Sequence, residues 1–207
     1  MKRITVIGAG GWGTALAVHL ANHGREVMLW ARRPELVREL RETRQNSVYL
    51  PDVEIPSGVV PTADLREAAA FSRHMILTVP SQGISDIADQ LRSLLTPEHR
   101  VLNGAKGLVS STGQRLSELL ESRWPMLEAG ALATLSGPNH AEEVARNVPS
   151  ATVIAAQSDR TIELWQRLLA TPAFRVYGSN DVIGVEYAGA IKNVIALATG
   201  ISDGLGF

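Results

Sequence analysis

Lys192 stands in the middle of the stretch Val182–Thr199, which is apolar on nearly every side. An ammonium buried there is costly unless it has a partner or a task. At about 100° per residue, Lys192 shares a helical face with Ala188, Ile195, Thr199 and Asp203, whereas Glu186 and Asn193 lie on another face. Small residues beside the lysine would let a substrate come close. The alternatives are a lysine that snorkels to the helix edge, or an ion pair with Glu186 or Asp203.

A second group of residues opens the chain. Gly8, Gly10 and Gly13 fill the glycine places of G-x-G-x-x-G, between the β-branched run Ile4–Ile7 and the helix-forming run Trp12–Ala17. The first glycine allows a tight turn, the second lets backbone approach a pyrophosphate, and the third lets the helix lie close on the strand. The helix N-terminus then turns its free N–H groups and positive dipole end toward phosphate. A dinucleotide site is the reading.

Arg32 and Arg33 follow the second strand-like run, Glu26–Trp30, where a carboxylate would select NAD and an arginine NADP. Two guanidiniums and no carboxylate favour NADP, with NAD still admissible, because arginine offers a fork matched to phosphate oxygens. The plainer alternative is a pair of solvated surface charges. Lys106, in Gly104–Gly107, and the turn Gly137–Ala141 each follow a strand, at the end where open α/β sheets bind ligands. Tyr49 reads as packing or as a cap over a ligand. His140 has no His or carboxylate set at metal spacing, so no metal is expected. No Ser-His-Asp arrangement stands out.

The elements that must hold these residues alternate strand and helix, which predicts a parallel sheet with crossovers. Helices are expected over Trp12–Asn22, Pro34–Glu42, Ser81 to about Leu95, Thr112–Glu121 and Thr161–Leu169. Strands are expected over Ile4–Ile7, Glu26–Trp30, Arg73–Val79, Val101–Asn103, Ala131–Ser136, Ala151–Ala156 and Phe174–Tyr177. Residues 43–62, with Pro51, Pro56 and Pro61, read as one long irregular segment, and such loops are often functional. The fold class is α/β: a Rossmann-type, doubly wound, mainly parallel sheet over residues 1–180, followed by the start of an all-helical domain over 181–207.

The 207 residues can bury a real core, and 45% hydrophobic with 20% charged residues describes an ordinary globular chain. A net charge of −1 gives no electrostatic reason to bind nucleic acid or an anionic membrane. With no cysteine, disulfides, thiolate metal sites and cysteine nucleophiles are excluded. No signal-peptide layout precedes the first strand, and no apolar stretch is read as long enough to span a bilayer. A cytoplasmic enzyme is expected.

Taken together, the segments resemble the bacterial type of NAD(P)-dependent glycerol-3-phosphate dehydrogenase. The matching pieces are Gly8–Ala15, Asn46-x-x-Tyr49-Leu50-Pro51, Val79–Ser81, Lys106-Gly107, Ser136–Glu143 and Glu186–Val194, in the family's order. The resemblance implies reduction of dihydroxyacetone phosphate to sn-glycerol 3-phosphate, which feeds phospholipid synthesis. It implies cofactor contacts at Gly11, Trp12, Arg32, Arg33, Tyr49, Lys106 and Ala141. It places substrate contacts at Lys106, Gly137 and Asn139, the last standing where many relatives have Ser or Thr. Lys192 would be the catalytic lysine, donating a proton to the alkoxide or, as the neutral amine, accepting one in reverse.

Family members continue into a helical domain carrying further substrate contacts. The resemblance therefore implies a fragment, weak or inactive alone, and a homodimer through the missing helical domain. Two other readings are a related reductase of the ketopantoate or β-hydroxyacid type, and a non-catalytic NADPH-binding module.

Overall fold

The computed structural model describes residues 2–206, the side chain of Asn193 excepted. Its strands are β1 (Arg3–Ile7), β2 (Glu26–Trp30), β3 (Val59–Thr62), β4 (His74–Leu77), β5 (Arg100–Asn103), β6 (Leu132–Ser136), β7 (Ser150–Ala156) and β8 (Phe174–Ser179). Its helices are α1 (Gly11–Asn22), α2 (Pro34–Glu42), α3 (Leu65–Phe71), α4 (Ile84–Leu91), α5 (Leu116–Arg123), α6 (Ala141–Ala145), α7 (Asp159–Leu169) and α8 (Val182–Leu205).

One sheet runs β3-β2-β1-β4-β5-β6-β7-β8. The first six strands are parallel; β7 pairs antiparallel with β6, and β8 parallel with β7. The chain winds outward from β1 to β3 and then restarts on the other side of β1 with β4. That reversal opens a crevice above the carboxyl ends of β1 and β4. Alternation along each strand feeds two cores. Ile4 and Val6 face α1 and α7 on one side, while Ile7, Met75 and Leu77 face α4 and α5 on the other. This is the mainly parallel Rossmann-type sheet the alternation predicts.

Residues 43–62 are less irregular than the prolines suggest. They end in β3, and α3 follows, an element the periodicity did not mark. Pro61 is tolerated because β3 is the edge strand, where a missing N–H leaves no ladder bond unmade. Asp64 caps α3 by accepting from the backbone N–H groups of Arg66 and Glu67. The remaining loop is stitched from within: the Arg44 guanidinium donates to the carbonyls of Ile55, Pro56 and Val59.

Helix α8 corrects one expectation. It has 24 residues and a mean hydropathy of 1.3 over its most apolar window, so by length and composition it is apolar enough to cross a membrane. Its first half lies against β6 and β7. Beyond Asn193 every described residue but Ser202 and the helix-terminal Gly206 is an exposed member of the helix, including Val194, Leu197 and Leu205.

Candidate active site

The glycine turn needs its glycines for different reasons. Gly8 has φ +117°, outside the range of ordinary side chains. A Cβ on Gly13 would stand 1.8 Å from the Gly8 carbonyl oxygen, so α1 can lie on β1 only with glycine there. Gly10 lines the crevice and has open space where its Cβ would be. Gly11 differs: its Cβ would press on the Tyr49 carbonyl at 2.7 Å, so that glycine admits the neighbouring loop.

Gly10 stands at the N-cap of helix α1, which has no side-chain cap and no acidic residue in its first turn. Its free N–H groups and dipole are left for an anion. Asn46, fully buried, holds the loop to this turn. Its amide donates to the Ala9 carbonyl at 3.0 Å and to the Thr14 hydroxyl at 2.8 Å, and its oxygen accepts from Tyr49 N–H at 3.2 Å. The spacing in the sequence marks this asparagine only as part of a motif, because the acceptors of its amide lie more than thirty residues away.

The crevice has a volume of about 960 Å³ and is lined by Gly8–Trp12, Arg32, Arg33, Tyr49, Thr78–Gly83, Gly104–Lys106, Asn139 and Ala141, among others. Both arginines are exposed at its outer end. Arg33 donates to the Tyr49 hydroxyl at 3.2 Å, with its guanidinium 5.5 Å from the ring centroid. Glu26 sits at the opposite end of β2, paired with Arg3. The Trp12 indole N–H is buried with no partner among the described residues, beside Gly104, where a Cβ would stand 3.3 Å from it. An uncapped helix end, an open Gly10 and an unpaired indole N–H fit a dinucleotide.

At the inner end, Lys106 Nζ donates to the Gly137 carbonyl at 3.0 Å. Burial, and after it the charge of Lys192, push the Lys106 ammonium below the ordinary lysine value. Helix α8 seats Gly189 against Ser136, the neighbour of the Gly137 that Lys106 holds, and Lys192 follows one turn further along the same side of the helix. Lys192 is half-buried, and among the described residues it makes no ion pair with Glu186 or Asp203. Glu186 pairs instead with Arg115.

Gly137 admits no side chain: a Cβ would meet Asn139 Oδ1 at 2.8 Å and the Ala151 carbonyl at 3.1 Å. Asn139 donates to the Ala151 carbonyl at 2.7 Å, which anchors the turn on β7, and its Oδ1 is buried without a partner. Ala141 opens α6 beside Gly11. Gly8, Gly10, Gly11, Trp12, Arg32, Arg33, Tyr49, Lys106, Asn139 and Ala141 thus line one crevice, Gly137 adjoins it through Lys106, and Lys192 is not among its lining residues. Gly13 lies beneath its floor.

Fold and crevice together define a dinucleotide-binding protein of the Rossmann class. The comparisons with known proteins are narrower. The model of the NAD-dependent glycerol-3-phosphate dehydrogenase N-terminus matches residues 3–162, and that of the C-terminus matches residues 181–207. This chain belongs to that family. It is 49% identical to a glycerol-3-phosphate dehydrogenase [NAD(P)+] of Moorella thermoacetica, over 99% of this chain and 60% of the relative. A second such relative, from Salinibacter ruber, is 46% identical over 99% of this chain and 59% of its own. A crystal structure of glycerol-3-phosphate dehydrogenase from Coxiella burnetii superposes with a TM-score of 0.91 at 34% identity, covering 99% of this chain and 62% of that one. The chain thus spans about three fifths of the relatives' length. The family match decides against the ketopantoate and β-hydroxyacid reductase readings.

Proposed function

We propose that this chain carries the cofactor half, and part of the catalytic site, of an enzyme interconverting dihydroxyacetone phosphate and sn-glycerol 3-phosphate, NADP preferred and NAD accepted. The carrying observation is the crevice with an uncapped helix end at its middle, two arginines at one end and Lys106 at the other. The glycine turn and the α1 N–H groups would hold pyrophosphate, with Gly11, Trp12 and Ala141 flanking it. Arg32, Arg33 and Tyr49 would hold the adenosine phosphate.

A bound reduced nicotinamide supplies the hydride. Lys106 neutralises the substrate phosphate, and the Gly137–Asn139 turn bounds its place. Lys192 donates a hydrogen bond to the carbonyl oxygen and then a proton to the oxygen left as alkoxide; in the oxidative direction the neutral amine takes that proton back. The setting we assign is the cytoplasm and phospholipid synthesis. The exposed face of α8 would be covered within a helical domain, 181–207 being its start, and a homodimer would form through that domain.

The test is NADPH oxidation with dihydroxyacetone phosphate, beside an NADH control and a binding titration, first on this chain and then on a longer form of the protein. Lys192→Ala should keep NADPH binding and lose most turnover. Unchanged turnover in that variant refutes the assignment. Binding without turnover in both lengths of the protein favours a nucleotide-binding module.

A further inference from the structure

Helix α8 is apolar nearly all round, so burial alone does not select which face it turns to the sheet. A polar clamp does. Glu186, 6% exposed, accepts from Ser117 N–H at 2.9 Å, from the Ser117 hydroxyl, and from Arg115 Nη1 at 3.1 Å. Ser117 N–H is in the first turn of α5, so a carboxylate from another element caps that helix and meets the positive end of its dipole. Arg115 forms an isolated backbone bridge with Leu108, two residues beyond Lys106. One carboxylate therefore ties the lysine-bearing helix to the lysine-bearing loop.

The spacing makes the clamp directional. From Glu186 to Lys192 is about 9 Å along the helix and about 120° around it. Between them Gly189 seats against β6, where a Cβ would stand 2.6 Å from Ser136 Oγ. With Glu186 held at α5 and Gly189 held at Ser136, the azimuth of Lys192 is set.

We propose that the Glu186–Ser117–Arg115 clamp positions the two-lysine site, fixing the rotation of α8 so that Lys192 faces Lys106. Glu186 is a positioning residue, and only the catalytic consequence rests on the dehydrogenase reading. Buried ion pairs are weak sources of stability, but they can specify register where an apolar surface is indifferent to it. The charged groups around the Glu186 carboxylate are Arg115, Glu118 and Glu121. Lys106 is the natural reporter, since burial and then the Lys192 charge depress its ammonium.

The experiment compares Glu186→Ala, Glu186→Gln and Ser117→Ala with the unaltered 207-residue chain. Three quantities are read: the pH midpoint of Lys106 acylation by mass spectrometry, the NADPH dissociation constant, and kcat with KM in whichever length of the protein turns over. Glu186→Ala should raise the Lys106 midpoint and leave NADPH binding within about twofold. It should lower kcat at least about tenfold with a smaller change in KM, because misorientation acts on the reacting geometry. Glu186→Gln keeps an acceptor for Ser117 and should restore kcat to within about threefold.

If Glu186→Ala does not fold, Ser117→Ala decides, with a smaller upward shift in the midpoint and about threefold in kcat. A folded Glu186→Ala or Ser117→Ala with an unmoved Lys106 midpoint overturns the proposal, whatever its turnover. If unaltered protein fails to reduce dihydroxyacetone phosphate at any length, the dehydrogenase reading falls, while the Lys106 midpoint still judges the clamp.

Discussion

The Lys106 ammonium donates to the Gly137 carbonyl at 3.0 Å, joining the loop after β5 to the turn after β6. One of its three N–H groups is engaged there, and the others remain for a ligand. Lys106→Met keeps the aliphatic stem and removes the donors. We expect kcat/KM for dihydroxyacetone phosphate to fall by about 10²-fold, the scale of a lost charge-assisted contact. Steady-state kinetics on the active length of the protein measures it; an unchanged kcat/KM removes Lys106 from the substrate site.

Gly10 and Gly13 separate binding from folding. A methyl on Gly10 meets no protein atom within 4 Å, whereas one on Gly13 collides with the Gly8 carbonyl. Gly10→Ala should change stability by less than about 1 kcal/mol while weakening NADPH at least about tenfold. Gly13→Ala should cost about 1–3 kcal/mol or more, since backbone must move. Chemical denaturation and fluorescence titration together distinguish them, and a Gly10→Ala protein with unaltered NADPH affinity would speak against the phosphate place of the turn.

Arg33 reaches over Tyr49 at the outer end of the crevice. Truncation to alanine should weaken NADPH about tenfold and NADH by less than about threefold, because the guanidinium fork matches a phosphate that NADH lacks. Parallel titrations with the two nucleotides give the ratio. Equal losses would make Arg33 a packing residue of the Tyr49 loop.

Two histidines tie stability to acid. Burial pushes His19 below its ordinary value, opposed in part by its bond to the Leu169 carbonyl and aided by His23. Burial lowers His74 likewise, against a bond to the Arg3 backbone and with nearby positive charges adding to the shift. In each case the unfolded chain takes up a proton that the native state refuses. Stability is therefore complete above the unfolded imidazole value of about 6.5 and falls as pH drops below it. Melting temperature should decline between about pH 7 and pH 5, and His19→Gln should flatten that decline. A flat profile for the unaltered chain would contradict the buried neutral rings.

The glycine turn was legible because its signal is local: a strand, three spaced glycines and a helix carry their own geometry. The apolar helix that carries Lys192 was legible for the same reason. Partners across the fold were not. Glu186 and Lys192, about one and two-thirds turns apart, suggested a pair, yet the carboxylate goes to Arg115 and Ser117 at the start of a distant helix. Asn46 is joined to Ala9 and Thr14 by tertiary contact alone. The strand at Val59 was hidden by Pro61, which an edge position permits. The helix after it left one local mark that the sequence reading did not use, the cap Asp64.

The antiparallel entry of β7 decides where α8 can point. Because β7 and β8 run against the first six strands, β8 finishes at the far edge of the sheet, and α8 climbs back toward the crevice from its Asp181 cap. Asp181 to Lys192 is then a measured arm of about three turns. Adding or deleting one residue within it would swing the amine by about 100° and shift it by about 1.5 Å. Length drift in this family should thus be silent in that arm and free in the surface loops, a constraint on insertions rather than on residue type.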